Sequence, residues 1–194
     1  MSIAKRRVDT GETVAVYDVC PDPGGMNHAQ LLDDDARALV SCRYDDSVVL
    51  YDLAKRQAIW RAGGADATLA IVDARGEPEA WSGQHNAELF GDAVYLFDNA
   101  IRCDDCDDAE AADCDASCVG VPSRILRFRV DGSDAVVDWV WEIPLDYPYG
   151  YSKIFGDADL LPSGKVLASW WAGALKPSLS LIHISEPTRR YAIS

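Results

Sequence analysis

Residues 29–40 read AQLLDDDARALV, in which two short apolar runs flank three consecutive aspartates. Residues 87–97 read AELFGDAVYLF and residues 158–168 read ADLLPSGKVLA, so the same pattern occurs three times. Each copy predicts a strand, a polar turn and a second strand, because Asp, Gly, Ser and Pro between apolar runs are typical turn residues. We therefore expect an all-β protein built from a repeated hairpin.

Two further strands are predicted after each of the first two copies. They cover residues 47–52 and 58–60 in the first unit, and residues 123–128 and 136–141 in the second. Repeated four-stranded antiparallel units are typical of β-propeller blades. Residues 1–178 are thus predicted to be an incomplete β-propeller, with two blades and part of a third, which does not close a ring alone. A β-sandwich made from the same strands is the alternative.

The end of the chain has a different character. Residues 179–189 read LSLIHISEPTR and resemble the in-frame translation of a transposon adapter used to prepare sequencing libraries. We interpret residues 179–194 as a non-native tail, which is excluded from fold reasoning like any fusion scar. This removes His183 from the candidate site residues. A natural tail ending on an apolar strand is the alternative.

The charge balance restricts the classes of partner. The chain has 18 basic and 32 acidic residues, a formal net charge of −14. Nucleic acids and anionic membrane surfaces select for basic patches, so neither is expected as the main partner. No stretch approaches the roughly 20 consecutive apolar residues of a membrane-spanning helix. A small molecule or another protein is the expected partner.

Four of the six cysteines lie in an acidic insertion over residues 103–118. Their spacing is C-x2-C-x7-C-x3-C, and the residues are Cys103, Cys106, Cys114 and Cys118. Three interpretations remain open: disulfides in an oxidising compartment, a four-thiolate Zn²⁺ site, or unpaired and metal-bridging variants. The intervening carboxylates also suit Ca²⁺, although without EF-hand order. Cys20 and Cys42 form the remaining pair, and the even count favours an exported protein, periplasmic or secreted.

Two histidines and one arginine are the candidate site residues. His28 and His85 each precede the first strand of their unit, within one residue of the same position in the repeat. Because the innermost strands of a propeller line one channel, we expect both imidazoles to face that channel. Arg43 follows the next strand and offers a guanidinium for an anion held there. The alternative is that each histidine only bonds a neighbouring backbone group.

Three segments together resemble a known family. Residues 81–99, WSGQHNAELFGDAVYLFDN, resemble the QHDA…lFDN segment of bacterial arylsulfate sulfotransferases and their propeller relatives. Residues 27–43, NHAQLLDDDARALVSCR, resemble the H-x-N…SxR segment of that family, and residues 123–141 and 156–164 resemble the following blade. Gln30 stands where the family has asparagine. The similarity extends over most of residues 13–172.

The resemblance implies a six-bladed periplasmic enzyme that moves a sulfuryl group from an aryl sulfate to a phenol. It implies no nucleotide donor, and we expect no cofactor and no metal in the active site. By motif position, His85 corresponds to the nucleophile that forms a sulfohistidine. His28 and Arg43 correspond to residues that bind the sulfate oxygens and steady the leaving phenolate.

A second function stays open at this point, because the same fold supports unrelated activities. An exported propeller without catalysis, binding a ligand or a protein, is compatible with the same repeats. The two functions differ in whether the histidines act on an aryl sulfate.

Overall fold

The computed structural model describes residues 2–21, 25–101, 122–144, 152, 155–170 and 182–184. Within these ranges the secondary structure is β-strand apart from one 3-10 turn, and no helix there is long and apolar enough to span a membrane. The strands are β1 (Ser2–Arg6), β2 (Thr13–Asp18), β3 (Met26–Leu32), β4 (Arg37–Cys42), β5 (Ser47–Asp52), β6 (Gln57–Ala62), β7 (Ala70–Asp73), β8 (His85–Phe90), β9 (Ala93–Asp98), β10 (Arg124–Asp131), β11 (Asp134–Glu142), β12 (Asp157–Leu160), β13 (Val166–Ser169) and β14 (Ile182–Ile184). The predicted all-β fold is confirmed.

The strands form the repeated units that the sequence predicts. The first sheet is β3-β4-β5-β6, and the second sheet contains β8-β9-β10-β11, with antiparallel neighbours in both. The third sheet has the order β12-β13-β14, and β14 comes from the segment that we interpreted as a tail. Two four-stranded units and a partial third match incomplete propeller blades.

Three strands lie outside this repeat. The apolar run over residues 69–72 predicts a strand, and the structure forms it as β7, parallel to β11 at the outer edge of the second sheet. β1 pairs with β2 in a separate hairpin, although the sequence predicts a strand only over residues 13–19. The mostly polar residues of β1 explain the difference, because its sequence, SIAKR, has no sustained apolar run.

The first strands of the three sheets are neighbours in space. β8 lies between β3 and β12 and contacts both. The carboxamide of Gln30 on β3 joins the first two sheets: its Oε1 accepts from the backbone N–H of Leu89 at 2.7 Å, and its Nε2 donates to the carbonyl of Leu89 at 3.3 Å. The longer amide at this position therefore pairs with the backbone of the neighbouring inner strand.

Apolar side chains fill the space between the sheets. Between the first and second sheets, Leu39 and Leu96 are fully buried, and the ring of Trp81 stacks on Phe128 with centroids 5.2 Å apart. Between the second and third sheets, Phe97 and Trp170 belong to a separate cluster. This packing fixes the three inner strands relative to one another, because buried side chains interdigitate at close to crystal density.

One disulfide joins the end of β4 to the segment after β2. It links Cys20 and Cys42, whose Cα atoms are 5.5 Å apart, a pairing that the sequence analysis allowed but did not fix. Both residues are buried, and Cys42 immediately precedes Arg43. The acidic insertion over residues 103–118, with its other four cysteines, lies outside the described residues.

Removing this disulfide is expected to lower the free energy of unfolding by about 3 kcal/mol. The cross-link spans a sequence separation of 22 residues, and closing a loop of that size restricts the unfolded chain by roughly this amount. Urea denaturation of the Cys20→Ser/Cys42→Ser double variant measures the loss. The variant keeps the cysteines of residues 103–118, so it separates their contribution from this one. Equal stability of variant and oxidised wild type would contradict the expectation.

Candidate active site

Both candidate histidines lie beside an irregularity in the first strand of their sheet. In the first sheet, Met26 pairs with Cys42 and His28 with Ser41, so Asn27 is an extra residue on β3. In the second sheet, the register shifts between His85 and Glu88 on β8. A β-bulge re-aims the neighbouring side chains, and bulges are frequent next to active sites. The two inner strands therefore share a local distortion at the candidate residues.

The imidazole of His85 is held by two oxygen atoms on one side of its ring. Its Nδ1 lies 2.7 Å from Oδ1 of Asn99 and 3.1 Å from the carbonyl oxygen of Gly83. On another side, the ring of Phe155 lies with its centroid 6.2 Å away. Among the described residues, Nε2 of His85 makes no hydrogen bond.

The orientation of Asn99 fixes the tautomer of His85. Nδ2 of Asn99 donates to the backbone carbonyls of Ser152 at 2.7 Å and Phe155 at 2.9 Å. Carbonyl oxygens only accept, so the amide NH2 faces them and Oδ1 faces the imidazole. His85 consequently carries its proton on Nδ1 and donates it to Oδ1, which leaves the lone pair on Nε2.

A buried ion pair supports this arrangement. Asp98, which precedes Asn99, is fully buried, and its Oδ2 accepts from Nε of Arg124 at 2.8 Å. Its Oδ1 accepts from the backbone N–H groups of Ser82 at 2.9 Å and Ala100 at 2.8 Å. One carboxylate thus ties the end of β9 to the loop before His85.

Gly83 occupies a position in that loop that requires glycine. Its φ is +63°, and a Cβ atom there would lie 2.5 Å from Cδ1 of Ile101. Its N–H donates to Oδ1 of Asp46 at 2.5 Å, and its carbonyl faces His85. A residue with a side chain would shift the carbonyl, because both the left-handed backbone and the space exclude it.

Arg43 follows β4 as Asn99 follows β9. Its backbone N–H donates to the carbonyl of Gly25 at 2.8 Å, and its guanidinium carbon lies 5.2 Å from the centroid of the Tyr44 ring. Burial lowers the pKa of His85, and the positive charge of Arg43 lowers it further against the opposing hydrogen bonds to Asn99 and Gly83. His85 is therefore neutral at neutral pH, since the ordinary histidine value is near 6.5.

His28 contacts a carboxyl group of the neighbouring inner strand. Its Nε2 lies 3.3 Å from Oε1 of Glu88, with both side chains about one-fifth to one-quarter exposed. The distance is within ion-pair range, but the angle does not meet hydrogen-bond geometry, and Nε2 is buried without a hydrogen bond in the described part of the chain. Burial lowers the pKa of His28, and the charge of Asp159 partly opposes that effect.

Glu88 in turn faces two carboxyl groups of β12. Burial raises its pKa, and the charges of Asp159 and Asp157 raise it further. Burial and Asp159 also raise the pKa of Asp157, which accepts a hydrogen bond from Asn86. No group of three or more potential metal-ligating side chains with suitable geometry occurs within the described ranges.

His28 and His85 lie on the neighbouring inner strands β3 and β8, Arg43 follows β4, and the predicted residues form two groups. His85 and Arg43 are close enough to interact electrostatically, whereas His28 contacts Glu88 and makes no hydrogen bond or ring contact with His85. Sequence reasoning missed Asn99 and Glu88 as site residues. For Asn99 a signal existed, because it directly follows the second strand of its unit, as Arg43 does.

The chain also matches a known protein family. A family model described as Arylsulfotransferase (ASST) matches residues 26–179, which include strands β3 to β13 and every residue of both groups. No curated protein is significantly similar to the chain. The match covers well over half of the sequence, and the chain belongs to the arylsulfotransferase family.

Proposed function

We propose that the protein transfers a sulfuryl group from an aryl sulfate to a phenolic acceptor through a covalent intermediate on His85. The observation that carries this proposal is the hydrogen bond of 2.7 Å between Nδ1 of His85 and Oδ1 of Asn99. It leaves the lone pair on Nε2. An imidazole that stays neutral at neutral pH is a competent nucleophile. Membership of the arylsulfotransferase family supports the general class of reaction.

The reaction divides into two balanced steps. In the first, Nε2 of His85 attacks the sulfur atom, the N–S bond forms, and the bond between sulfur and the aryl oxygen breaks. Its electron pair leaves on the phenolate, which takes up a proton. In the second, an acceptor phenol loses its proton and its oxygen attacks the same sulfur, which releases His85. One covalent intermediate between two products implies ping-pong kinetics.

Arg43 and His28 are proposed to serve the charged groups of this reaction. The sulfuryl oxygens and the departing aryl oxygen carry negative charge, and fixed donors at such positions lower the barrier. The guanidinium of Arg43 acts on His85 electrostatically, so an anion bound beside Nε2 is within its influence. His28 lies on the adjacent inner strand and is proposed to steady the phenolate. No cofactor or metal is required.

Export to the periplasm or the extracellular space is proposed with this function. The Cys20–Cys42 disulfide supports it, because stable disulfides form mainly in oxidising compartments. The net charge of −14 supports a small-molecule substrate over nucleic acid.

A two-substrate assay tests the proposal. We expect purified protein to release 4-nitrophenol from 4-nitrophenyl sulfate, with parallel reciprocal plots when the phenol concentration is varied. Mass spectrometry after an acceptor-free reaction is expected to find one sulfuryl group on the peptide that contains His85. Absence of both turnover and labelling would reject the proposal and favour the non-catalytic binding module.

A further inference from the structure

We propose that Glu88 is the proton reservoir for the aryl oxygen, acting through His28. This inference rests on the proposed sulfuryl transfer. It assigns a role to Glu88, which is not one of the three candidate site residues. Glu88 does not itself contact the reacting atoms in this scheme. Its function is to position His28 and to replace the proton that His28 donates.

The contact between Glu88 and His28 has the features of a proton-transfer pair. Oε1 and Nε2 are 3.3 Å apart across two adjacent inner strands, and Nε2 is buried without a hydrogen bond in the described part of the chain. A buried nitrogen without a hydrogen bond is rare in native proteins, and a catalytic role is one of its known causes. Catalytic hydrogen bonds are often long or poorly aligned before substrate binds. A small rotation of either side chain completes this one.

The surroundings of Glu88 favour its protonated form. Burial raises the pKa of Glu88, and the charges of Asp159 and Asp157 on β12 raise it further. On β9, Tyr95 is its direct cross-strand neighbour, and His28 faces it from β3. Neighbouring carboxylates disfavour a further negative charge, so the Glu88 carboxyl retains its proton more readily than an isolated one. A retained proton also reduces the repulsion of an anionic aryl sulfate.

The proton path balances over the two half-reactions. As the bond between sulfur and the aryl oxygen breaks, Nδ1 of His28 donates a proton to the phenolate and Nε2 receives one from Glu88. The ring remains neutral overall, and Glu88 becomes a carboxylate. When the acceptor phenol attacks the sulfohistidine, its proton returns along the same path. No external acid or base is consumed.

The basicity of the leaving group distinguishes this role from a structural one. For the Glu88→Gln variant, we expect kcat/KM to fall about 100-fold with phenyl sulfate, within the usual range for general acid catalysis. With 4-nitrophenyl sulfate we expect a loss of about 3-fold or less, because the nitro group stabilises the phenolate and its departure needs no proton. Glu77→Gln is the matched control, since Glu77 is exposed in the loop that follows β7, and it should change neither value.

A titration that needs no turnover completes the test. The ring protons of His28, followed by NMR, should titrate in two coupled steps in the wild type and in one step in Glu88→Gln. Equal losses with both aryl sulfates, or an unchanged His28 titration, would overturn the relay. Because the titration does not depend on activity, it separates failure of the relay from failure of the proposed sulfuryl transfer.

Discussion

The His85→Ala variant is expected to lose sulfuryl transfer by at least about 10⁴-fold in kcat. Removing the nucleophile of a covalent mechanism eliminates the intermediate rather than weakening one interaction. The loss should be confined to chemistry, because the His85 side chain is only partly buried and its removal leaves Asn99 anchored to Ser152 and Phe155. Steady-state release of 4-nitrophenol and the sulfuryl label on the peptide are the two measurements.

His28→Ala is the comparison variant for His85→Ala. With phenyl sulfate as the donor, we expect a loss of about 10²- to 10³-fold, because His28 supplies the proton to the departing oxygen and does not form the bond to sulfur. The label on His85 should still accumulate in His28→Ala and should be absent from His85→Ala. Turnover that survives in His85→Ala would exclude this residue as the nucleophile.

The strands were predictable because their signals are local. Each hairpin of the repeat carries its own apolar runs and turn residues, and the turn over Asp33, Asp34 and Asp35 has left-handed backbone at all three positions. The two irregularities were not predictable, since a bulge depends on how β3 and β8 pair with their partners. β7 was assigned as a strand, but its parallel place beside β11 depends on a chain connection that the local pattern does not contain.

The sequence identified the candidate site residues but not the partners that set their chemistry. The positions of His28, His85 and Arg43 within the repeat indicated the inner strands, because equivalent positions in successive units converge. The partners that define their chemistry come from distant segments. Asn99 is oriented by Ser152 and Phe155, which are 53 and 56 residues away. No local pattern in the sequence links these residues, so the tautomer of His85 followed only from the structure.

Many polar contacts join the loops of the second sheet to the distant segments that orient Asn99. Ser123 Oγ donates to the carbonyls of Asn99 and Ser152 and accepts from the N–H of Ser152 at 2.8 Å. These bonds and the Asp98–Arg124 pair connect the end of β9 to the surrounding loops, whereas the two Nδ2 bonds of Asn99 hold its Oδ1 opposite the imidazole. Buried networks of this kind specify one geometry when every member is satisfied.

Replacing Asn99 tests whether that geometry matters for catalysis. In Asn99→Leu, the acceptor for the Nδ1 proton is lost, and we expect kcat to fall about 10²- to 10³-fold as the Nε2-protonated tautomer becomes populated. Two-bond ¹⁵N–¹H correlation spectra report the tautomer directly. The free energy of unfolding should also fall by about 1–3 kcal/mol, because the carbonyls of Ser152 and Phe155 lose their donor.

Ser123→Ala is the matched control for that structural cost. It removes hydrogen bonds from the same loop but none from His85, so stability should decrease while the tautomer and kcat stay near the wild-type values. If Asn99→Leu keeps the proton on Nδ1 and loses no more activity than Ser123→Ala, the role assigned to Asn99 is wrong.

Asn99→Asp changes charge instead of hydrogen-bond pattern and predicts a distinct pH profile. A carboxylate beside Nδ1 stabilises the imidazolium, so the pKa of His85 should rise from its lowered value. The reactive form is the neutral ring, which is populated only above that pKa. Activity should therefore fall near neutral pH and recover as the pH increases, whereas Asn99→Leu should not recover. If the acidic limb of the pH–activity profile of Asn99→Asp instead moved to lower pH, nucleophilic attack by a neutral His85 would be contradicted. A neighbouring carboxylate stabilises the charged ring and cannot favour the uncharged one.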